Sequence, residues 1–561
     1  MKGRTYWRIV ESRRVNGRPR PVPVLYLGTA NALLERLLAA PAGGLRLRSF
    51  EHGSVAALAA AAERLGVVGI IDRHAPRARG GRSVGVTLLL AAINRAVKPR
   101  SKRAFAAWAA TTSLDRLFPG AGVETLTSQA FWEVMERVSL DALQAIEGEL
   151  ARAVVSELGV ELDTLFYDTS NFFTYLASDN AKSELARRGR SKQKRADLRL
   201  FSLALLVSRD GHIPLLSHVY PGNRVDVSVF PEALSLMRER RAELAVDVKS
   251  VTVVFDKGNL CKANQKLVDE QPFGFVASLT PAHHPDLMAI PLTRYTPLPE
   301  SGRLPGVLAL RLTKRVWGGE RTIVLYLSER LRQGQARGLE QHLEKRLREL
   351  AAWEQQLAKP RSGPRSQAAA EARIAKLLQG QHLRQVLHVS YHLDRQGAER
   401  LEYHVDQAAI NSLHHNVFGK RLLITNRHDW PTEDIILAYR AQSHIEATFR
   451  QCKDNEHLAI RPQYHWTDHN IQVHTFTCLL ALLLARSVQH HARAAGQQHS
   501  LDSLLERLAS IRLAMILHPS GAKGGRPRAD WQLETSDPDT THLYRHLVPN
   551  QPPFVYTDGT P

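Results

Sequence analysis

Hydrophobic and polar positions change their spacing along the chain, and these changes mark its regions. Before residue 50, two short apolar runs flank Asn16-Gly17, a pair that favours the positive φ of a tight turn. Residues 1–50 are therefore predicted to form a β-hairpin region. From 51 to 158, alanine and leucine recur at helical spacing between prolines, which predicts a helical region.

Residues 159–285 show a different pattern, in which short apolar runs alternate with segments of helical spacing. Such an order predicts an α/β fold, with a mixed sheet and flanking helices. The predicted strands lie at 162–167, 201–207, 212–219, 251–255 and 273–279, and the predicted helices lie at 229–243 and 260–269.

The spacing becomes irregular in residues 286–430, which we interpret as an α+β insertion in that sheet. The clearest feature of the insertion is a helical hairpin, in which a charged helix at 339–357 and a second helix at 367–378 are separated by proline and glycine. Residues 431–495 return to regular helical spacing and are predicted to complete the α/β core. Residues 496–561 are predicted to form a C-terminal tail.

The longest apolar run of the chain lies in the second core region, at 473–485. The run is shorter than the roughly 20 residues that a span needs, and it contains His474 and Thr475. It therefore predicts a buried helix.

The chain has 561 residues and a large positive charge, with 75 lysines and arginines against 55 aspartates and glutamates. A net charge of +20 is self-repulsive unless a polyanion is bound, so nucleic acid is the expected partner and an anionic membrane face is the weaker alternative. The basic hairpin and the helical region are interpreted as DNA-binding, although a basic sheet edge or helix face can also be a solvated surface. Because the basic residues are spread over several segments, no membrane association is expected.

The three cysteines lie far apart in the sequence and form no Cys-x-x-Cys pair. Neither a disulfide framework nor a cysteine zinc site is therefore expected, and a reducing compartment is predicted. The first 21 residues are basic and lack the apolar stretch of a signal peptide, which agrees with that compartment.

Two aspartates follow apolar strands of the predicted sheet: Asp168 follows 162–167, and Asp256 follows 251–255. A carboxylate at the end of a buried strand is costly to desolvate unless a cation meets it, so the pair suggests a metal site. Each aspartate alone is more often a polar cap on a strand. Phosphodiester chemistry with two divalent metal ions would use such carboxylates, because the ions activate the attacking oxygen and stabilise the leaving one.

A third acid, Glu446, lies in a predicted helix. Residues that are spaced by three or four positions share one face of a helix. Here that face would consist of Tyr439, Gln442, Glu446, Arg450 and Lys453. This face would present one acid flanked by two cations, which suits a metal ligand beside a phosphate-binding pair. The alternative is an amphipathic surface helix with an ion pair between Glu446 and Arg450.

These motifs resemble those of the DDE transposases of bacterial insertion sequences, in the branch whose third motif has a Tyr, Arg, Glu, Lys signature. The similar segments are Phe-Tyr-Asp168-Thr-Ser, Gly189-Arg-Ser-Lys192, Arg195-Ala-Asp-Leu, Pro221-Gly222-Asn223, Asp256-Lys-Gly-Asn and Tyr439-x2-Gln442-x3-Glu446-x6-Lys453. One position departs from the signature, since Gln442 stands where the family usually has arginine.

The resemblance implies an RNase H-like catalytic core and cut-and-paste transposition. It implies that Asp168, Asp256 and Glu446 are the catalytic residues and hold two Mg2+ ions, for which Mn2+ can substitute. The expected partner is double-stranded DNA, which comprises the terminal inverted repeats of the element and the target DNA. The protein is expected to act as a homodimer in the synaptic complex. The expected location is the bacterial cytoplasm, associated with the nucleoid. The DNA-binding candidates are Tyr439, Gln442, Arg450, Lys453, Lys192 and Arg195.

Two other functions remain open. The chain could be an RNase H-like nuclease that cuts DNA without joining it, or a DNA-binding protein that derives from an inactive element. All three acids are present at the motif positions, which argues against the inactive derivative.

Overall fold

The computed structural model of the chain describes residues 6–15, 18–29, 46–77, 81–176, 182–189, 195, 197–244, 251–359, 366–454, 456–518, 528–534 and 537–549. The strands, numbered in chain order, are β1 (Tyr6–Val15), β2 (Arg18–Thr29), β3 (Arg46–Glu51), β4 (Thr164–Thr174), β5 (Arg199–Ser208), β6 (Pro214–Pro221), β7 (Thr252–Phe255), β8 (Gly274–Ser278), β9 (Thr296–Pro297), β10 (Leu308–Val316), β11 (Gly319–Leu327), β12 (Leu387–Leu393), β13 (Glu399–Val405), β14 (Lys420–Thr425), β15 (Arg512–His518) and β16 (Arg528–Leu533).

The helices are α1 (Gly53–Arg64), α2 (Val67–His74), α3 (Val84–Val97), α4 (Phe105–Ala109), α5 (Leu114–Leu117), α6 (Ser128–Met135), α7 (Leu140–Leu158), α8 (Asp226–Glu243), α9 (Lys262–Asp269), α10 (Pro285–Met288), α11 (Glu329–Leu357), α12 (Gln367–Leu377), α13 (Leu383–Val386), α14 (Gln407–Asn416), α15 (Thr432–Arg440), α16 (Ser443–Lys453), α17 (Asp468–Ala494), α18 (Leu501–Ala509) and α19 (Pro538–Leu547).

The described residues form two compact units. One unit contains those of Met1–Ile146, Asp454–Ile460 and Gln472–Pro561, and the other contains those of Glu147–Lys453 and Arg461–Ile471. The segment 431–495, predicted as one part of the α/β core, is thus divided between the two units.

In the first unit, β1 and β2 pair in the antiparallel direction, with Val15 opposite Arg18. The two strands lie in the segment predicted as a hairpin, and the predicted turn lies outside the described residues. Residues 51–158, which were predicted to be helical, contain α1 to α7, and the boundary between the two units falls within α7. The role of this region in DNA binding stays a prediction.

The described residues between Leu501 and Leu547, within the predicted tail, contribute to the core of the first unit. β15 pairs with β3 on one side and with β16 on the other. Leu504 and Leu508 of α18 and Leu543 of α19 are almost completely buried. The apolar faces of these short helices need a hydrophobic partner, and the helices at the start of the chain provide it.

A buried histidine connects the beginning and the end of the first unit. The Nδ1 atom of His52 lies 2.7 Å from Ser113 Oγ, and its Nε2 atom lies 2.6 Å from the hydroxyl of Tyr544 in α19. Burial lowers the pKa of His52 to about 4. The ring is therefore neutral near pH 7.

The second unit is built on a mixed sheet in which nine described strands follow the order β6-β5-β4-β7-β8-β14-β11-β10-β9. β4, β7 and β8 run parallel, and the other neighbouring pairs are antiparallel. β5, β7 and β8 are buried along their whole length, as is typical of strands covered on both faces. The α/β fold with a large mixed sheet is confirmed, and it is compatible with the predicted RNase H-like core.

The strands of the region 286–430 do not form a separate insertion but extend this main sheet. β14 pairs with β8, and β11, β10 and β9 follow outward. The added strands cover the edge of β8, whose backbone groups would otherwise lack partners. The rest of the region consists of α11 to α14 and the hairpin of β12 and β13, which surround a hydrophobic core of their own. This core contains Leu339, Leu343 and Leu350 of the predicted charged helix.

The helix α17 is longer than the apolar run that predicted it. By length and composition it could cross a membrane, and α1 with α2 would pass the same test as a pair bent by 60°. In α17, 94% of the apolar window is buried in the protein. That burial agrees with the predicted core helix.

Candidate active site

Asp168 and Asp256 each directly follow the last paired residues of two neighbouring parallel strands. In the parallel pairing of β4 with β7, Tyr167 is opposite Phe255. The next residue in each segment is an aspartate. Asp256 keeps an extended backbone, with φ −84° and ψ 162°, and adjacent strands are about 4.8 Å apart. The structure therefore brings these two predicted acids together.

The sequence predicted that Asp168 ends its strand. In the structure, Asp168 lies within β4. β4 continues to Thr174 because β5 supplies hydrogen-bond partners on its other side, with Asp168 opposite Leu205 and Thr174 opposite Arg199. The continuation begins with four polar residues, Asp168 to Asn171, and so the apolar run that predicted the strand ended too early. Asp168 is half-buried at the point where β4 loses its other neighbour, β7.

Two hydrogen bonds orient the carboxylate of Asp256. Ser278 Oγ donates to its Oδ1 atom at 2.7 Å, and the hydroxyl of Tyr439 donates to the same atom at 3.1 Å. Burial, together with the negative charge of Asp256, raises the pKa of Tyr439, so the phenol stays protonated and remains a donor. Within the described parts of the chain, the Oδ2 atom has no hydrogen-bond donor and is available to a ligand.

The helix α16 lies along the face of β4 that carries Asp168. Alternate residues of a strand share a face, and this face includes Phe166, Ser170 and Phe172. Lys453 donates from Nζ to Ser170 Oγ at 2.5 Å, and the ring of Phe449 lies 6.5 Å from that of Phe172. The predicted DNA-binding residue Lys453 is therefore close to the strand of Asp168.

The predicted helix that carries the third acid is two helices, with Ala441 and Gln442 between α15 and α16. Gln442 N–H donates to the carbonyl of Tyr439 at 3.1 Å, three residues back. A tighter turn of this kind replaces the four-residue spacing of an α-helix and rotates the residues that follow. The predicted helical face is therefore interrupted at Gln442: Tyr439, Gln442 and Glu446 line one cleft, whereas Lys453 contacts β4.

Glu446 is exposed, and it lies on a cleft that Tyr439 and Gln442 also line. In the described ranges, no three histidine, cysteine, aspartate or glutamate side chains are grouped so that they could hold a metal ion. Asp168 and Asp256 alone suit a hard divalent ion, because Mg2+ is commonly held by one or two carboxylates and completed by water and phosphate. Glu446 as a third ligand stays a prediction.

The other predicted DNA-binding residues differ in their surroundings. Arg450 is exposed on α16. Arg195 is exposed and forms a two-bond ion pair with Asp197, at 2.8 Å from Nε to Oδ1 and 2.6 Å from Nη2 to Oδ2. The hydrogen bond from Arg195 lowers the pKa of Asp197 to about 2. Lys192 lies outside the described residues.

The cleft beside Glu446 has a volume of about 980 Å³ and contains cations that the sequence did not identify. These are Arg330 of α11, Arg421 of β14 and Arg440 of α15, and we call the site the arginine cleft. The three arginines are far apart in sequence and lie in different elements. Only the large net positive charge pointed to such a surface before the fold was known.

No family model matches the chain, and no curated protein sequence matches it. Among solved structures, the chain is similar to the cryo-EM structure of a piggyBac transposase synaptic complex with hairpin DNA, over 76% of this chain and 69% of that chain. The sequence identity is 8% and the TM-score is 0.35. A similarity this distant supports no conclusion about this chain.

Proposed function

We propose that the chain is a DNA transposase that hydrolyses phosphodiester bonds at the ends of an insertion sequence and joins the freed 3′-hydroxyl groups to target DNA. The observation that carries the proposal is that Asp168 and Asp256 directly follow the paired residues Tyr167 and Phe255, with Lys453 on the Asp168 face of β4. Two acids beside a cation suit a divalent metal ion and a phosphate. The net charge of +20 suits DNA as the partner.

In this proposal Asp168 and Asp256 hold Mg2+ or Mn2+, and Glu446 contributes the third carboxylate. A divalent ion bound there supplies an activated water and stabilises the leaving oxygen. Tyr439 and Ser278 fix Oδ1 of Asp256 and thereby restrict the direction of its other oxygen. The ammonium group of Lys453 can donate to a phosphate oxygen beside Asp168.

The two steps differ in the group that attacks phosphorus. In the first, water attacks, the bond from phosphorus to the 3′-oxygen breaks, and the products are a 3′-hydroxyl and a 5′-phosphate. In the second, that hydroxyl attacks a target phosphodiester, and the 3′-oxygen of the target strand leaves. The second step exchanges one phosphodiester for another, so it needs no nucleotide hydrolysis.

The proposal includes a homodimer that holds the two element ends together, and action on the nucleoid in the cytoplasm. Cys261, Cys452 and Cys478 form no disulfide bond within the described residues, which is compatible with a reducing compartment. Light scattering of the chain with and without paired terminal-repeat DNA measures the assembly.

The deciding experiment incubates the full chain and Mg2+ with a duplex that carries the terminal repeats flanking its gene, together with supercoiled plasmid. The wild type should cut the duplex and join it to plasmid, whereas Asp256→Asn should bind the duplex and do neither. Cutting without joining would identify the nuclease instead. Binding without cutting by the wild type would identify an inactive DNA-binding derivative.

A further inference from the structure

The arginine cleft has an excess of positive charge. Its acids are Glu329 and Glu446, against the three arginines that define it. Glu329 also lies 3.8 Å from the guanidinium group of Arg332, one turn along α11. The cleft therefore attracts an anion.

Two of the arginines are neighbours of Tyr326. Arg421 is directly opposite Tyr326 in the pairing of β14 with β11, and the guanidinium carbon of Arg440 lies 5.3 Å from the centre of the Tyr326 ring. The Nε atom of Arg421 is buried and has no acceptor among the described residues. The cleft is nevertheless lined by both Arg421 and Arg440, so a ligand there that accepts hydrogen bonds would meet two guanidinium groups.

The cleft is connected to the aspartate pair through Tyr439. This residue lines the cleft, and its hydroxyl donates to Asp256. The positive charge of Arg421 acts on the same phenol and opposes the rise that burial causes in its pKa. An anion in the cleft would thus be separated from Asp256 by a single side chain.

We propose that the arginine cleft binds the phosphates of one strand at a DNA end, and that Arg421 and Arg440 are positioning residues that hold this strand beside Asp256. The inference rests on the proposed function and adds residues to it. Guanidinium groups match phosphate oxygens with paired hydrogen bonds. A cleft of about 980 Å³ is at the upper end of small-ligand pockets, so it can take a few nucleotides of one strand but cannot enclose a duplex.

The arrangement also bears on Gln442, which is buried and lines the cleft. The family signature usually has arginine at this position. In this chain, Arg421 and Arg440 place positive charge in the same cleft from β14 and α15. The cleft is therefore cationic without an arginine at residue 442.

The test measures binding of a fluorescent duplex with a single-stranded 3′ overhang to the full chain, by anisotropy, in a metal chelator so that no cleavage occurs. The variants are Arg421→Gln and Arg440→Gln. The matched control is Arg348→Gln, because Arg348 is 73% exposed on α11 and pairs with Glu344 outside the cleft. Circular dichroism verifies folding, and Arg440→Gln, at an exposed position, carries the test if Arg421→Gln does not fold.

Each cleft variant should bind the overhang about tenfold more weakly, as expected for loss of a charged hydrogen bond. The slope of log affinity against log salt should fall by about 0.7, the value for one phosphate contact with a single strand. A blunt duplex should show a smaller effect, and excess inorganic phosphate should not displace the overhang.

Equal binding by the cleft variants and Arg348→Gln would overturn the inference while leaving the proposed function intact. Displacement by inorganic phosphate would assign the cleft to a free anion and would also overturn it. If the wild type binds neither DNA, the proposed function itself fails.

Discussion

Lys453 donates a hydrogen bond to Ser170, which follows Asp168 by two residues on the same face of β4. The ammonium group of Lys453 also lies 5.2 Å from the ring centre of Phe172. The sequence predicted a phosphate-binding cation on the helical face of Glu446. The fold brings this cation to the strand of the first aspartate, where a phosphate at the metal site would meet it.

Replacing Lys453 with glutamine should weaken binding of DNA ends, because a phosphate contact beside Asp168 is lost. The slope of log affinity against log salt should fall by about 0.9 for one contact with duplex DNA. The free energy of unfolding should fall by about 1 kcal/mol, since a hydrogen bond and a cation–π contact are also removed. Binding assays in a chelator and thermal melting measure the two effects separately.

The control for this change is Lys345→Gln, at an exposed position on α11. It should leave both the affinity and the melting temperature unchanged. A Lys453→Gln variant that melts earlier but binds DNA with the affinity and salt slope of the wild type would show that Lys453 only stabilises the fold.

Removing the hydroxyl of Tyr439, by Tyr439→Phe, should raise the Mg2+ concentration needed for half-maximal cleavage. The ring remains in place, but Asp256 keeps only the hydrogen bond from Ser278. A hydrogen bond to a charged group contributes about 1.5–3 kcal/mol, so the rate at fixed Mg2+ should fall by about tenfold or more. Tyr403→Phe is the matched control, because it removes a hydroxyl that donates to Glu354 at 3.3 Å. Identical Mg2+ dependence in the two variants would contradict a positioning role for Tyr439.

Substitution of Glu446 distinguishes a metal ligand from a cleft residue. If Glu446 is the third ligand, Glu446→Gln should abolish cleavage as Asp256→Asn does, and both should still bind DNA. Because Glu446 also lines the arginine cleft, removing its charge should at the same time tighten binding of a single-stranded overhang. Glu340→Gln, on the exposed side of α11, should change neither property. Near-normal cleavage by Glu446→Gln would exclude it as a metal ligand.

The individual strands and helices were predictable because periodicity is a local property of the sequence. The apolar run at 201–207 gave β5, and the leucine spacing at 339–357 gave most of α11. Strand pairing between distant segments was not predictable, because periodicity does not specify which sheet edges meet. The segment of β14, which pairs with β8, was therefore interpreted as part of an insertion. The segment of β15, which pairs with β3, was interpreted as part of a tail.

The site was predictable in its residue types more than in its geometry. Asp168 and Asp256 were identified by their positions after apolar runs, and the register of β4 and β7 makes them neighbours. The break at Gln442 was hidden, since the spacing of the polar residues fits one continuous helix. Arg421 carried no signal, because a lone arginine in a strand acquires its role from the elements that surround it.

The motif residue Gly222 should not tolerate alanine. A methyl group there would lie 2.1 Å from the carbonyl oxygen of Leu200, which is backbone and cannot move without distorting β5. Overpacking of this kind costs about 1–3 kcal/mol, so Gly222→Ala should lower the melting temperature. The control is Gly258→Ala, because an added Cβ at Gly258 meets nothing within 4 Å. Equal melting of the two variants would show that the backbone at Gly222 can yield.

The stability of the first unit should fall in mild acid because of His52. Its pKa is about 4 in the fold, against an ordinary value of 6.5 for an exposed histidine, so the unfolded chain binds a proton more readily. The stabilisation from neutral His52 is therefore complete above pH 6.5 and is lost as the pH falls toward 4. The total loss in the free energy of unfolding is on the order of 3 kcal/mol. His491, whose pKa burial also lowers to about 4, adds to the same decline. Thermal melting of the full chain at pH 7 and pH 5 measures the loss.

His52→Gln should melt earlier than the wild type at pH 7, because the bonds to Ser113 and Tyr544 are disturbed, but it should lose less stability between pH 7 and pH 5. The remaining decline is the share of His491 and of other groups. His392→Gln, at an exposed position on β12, should keep the full pH dependence of the wild type. If His52→Gln loses as much stability as the wild type over this range, protonation of His52 does not limit the acid stability of the unit.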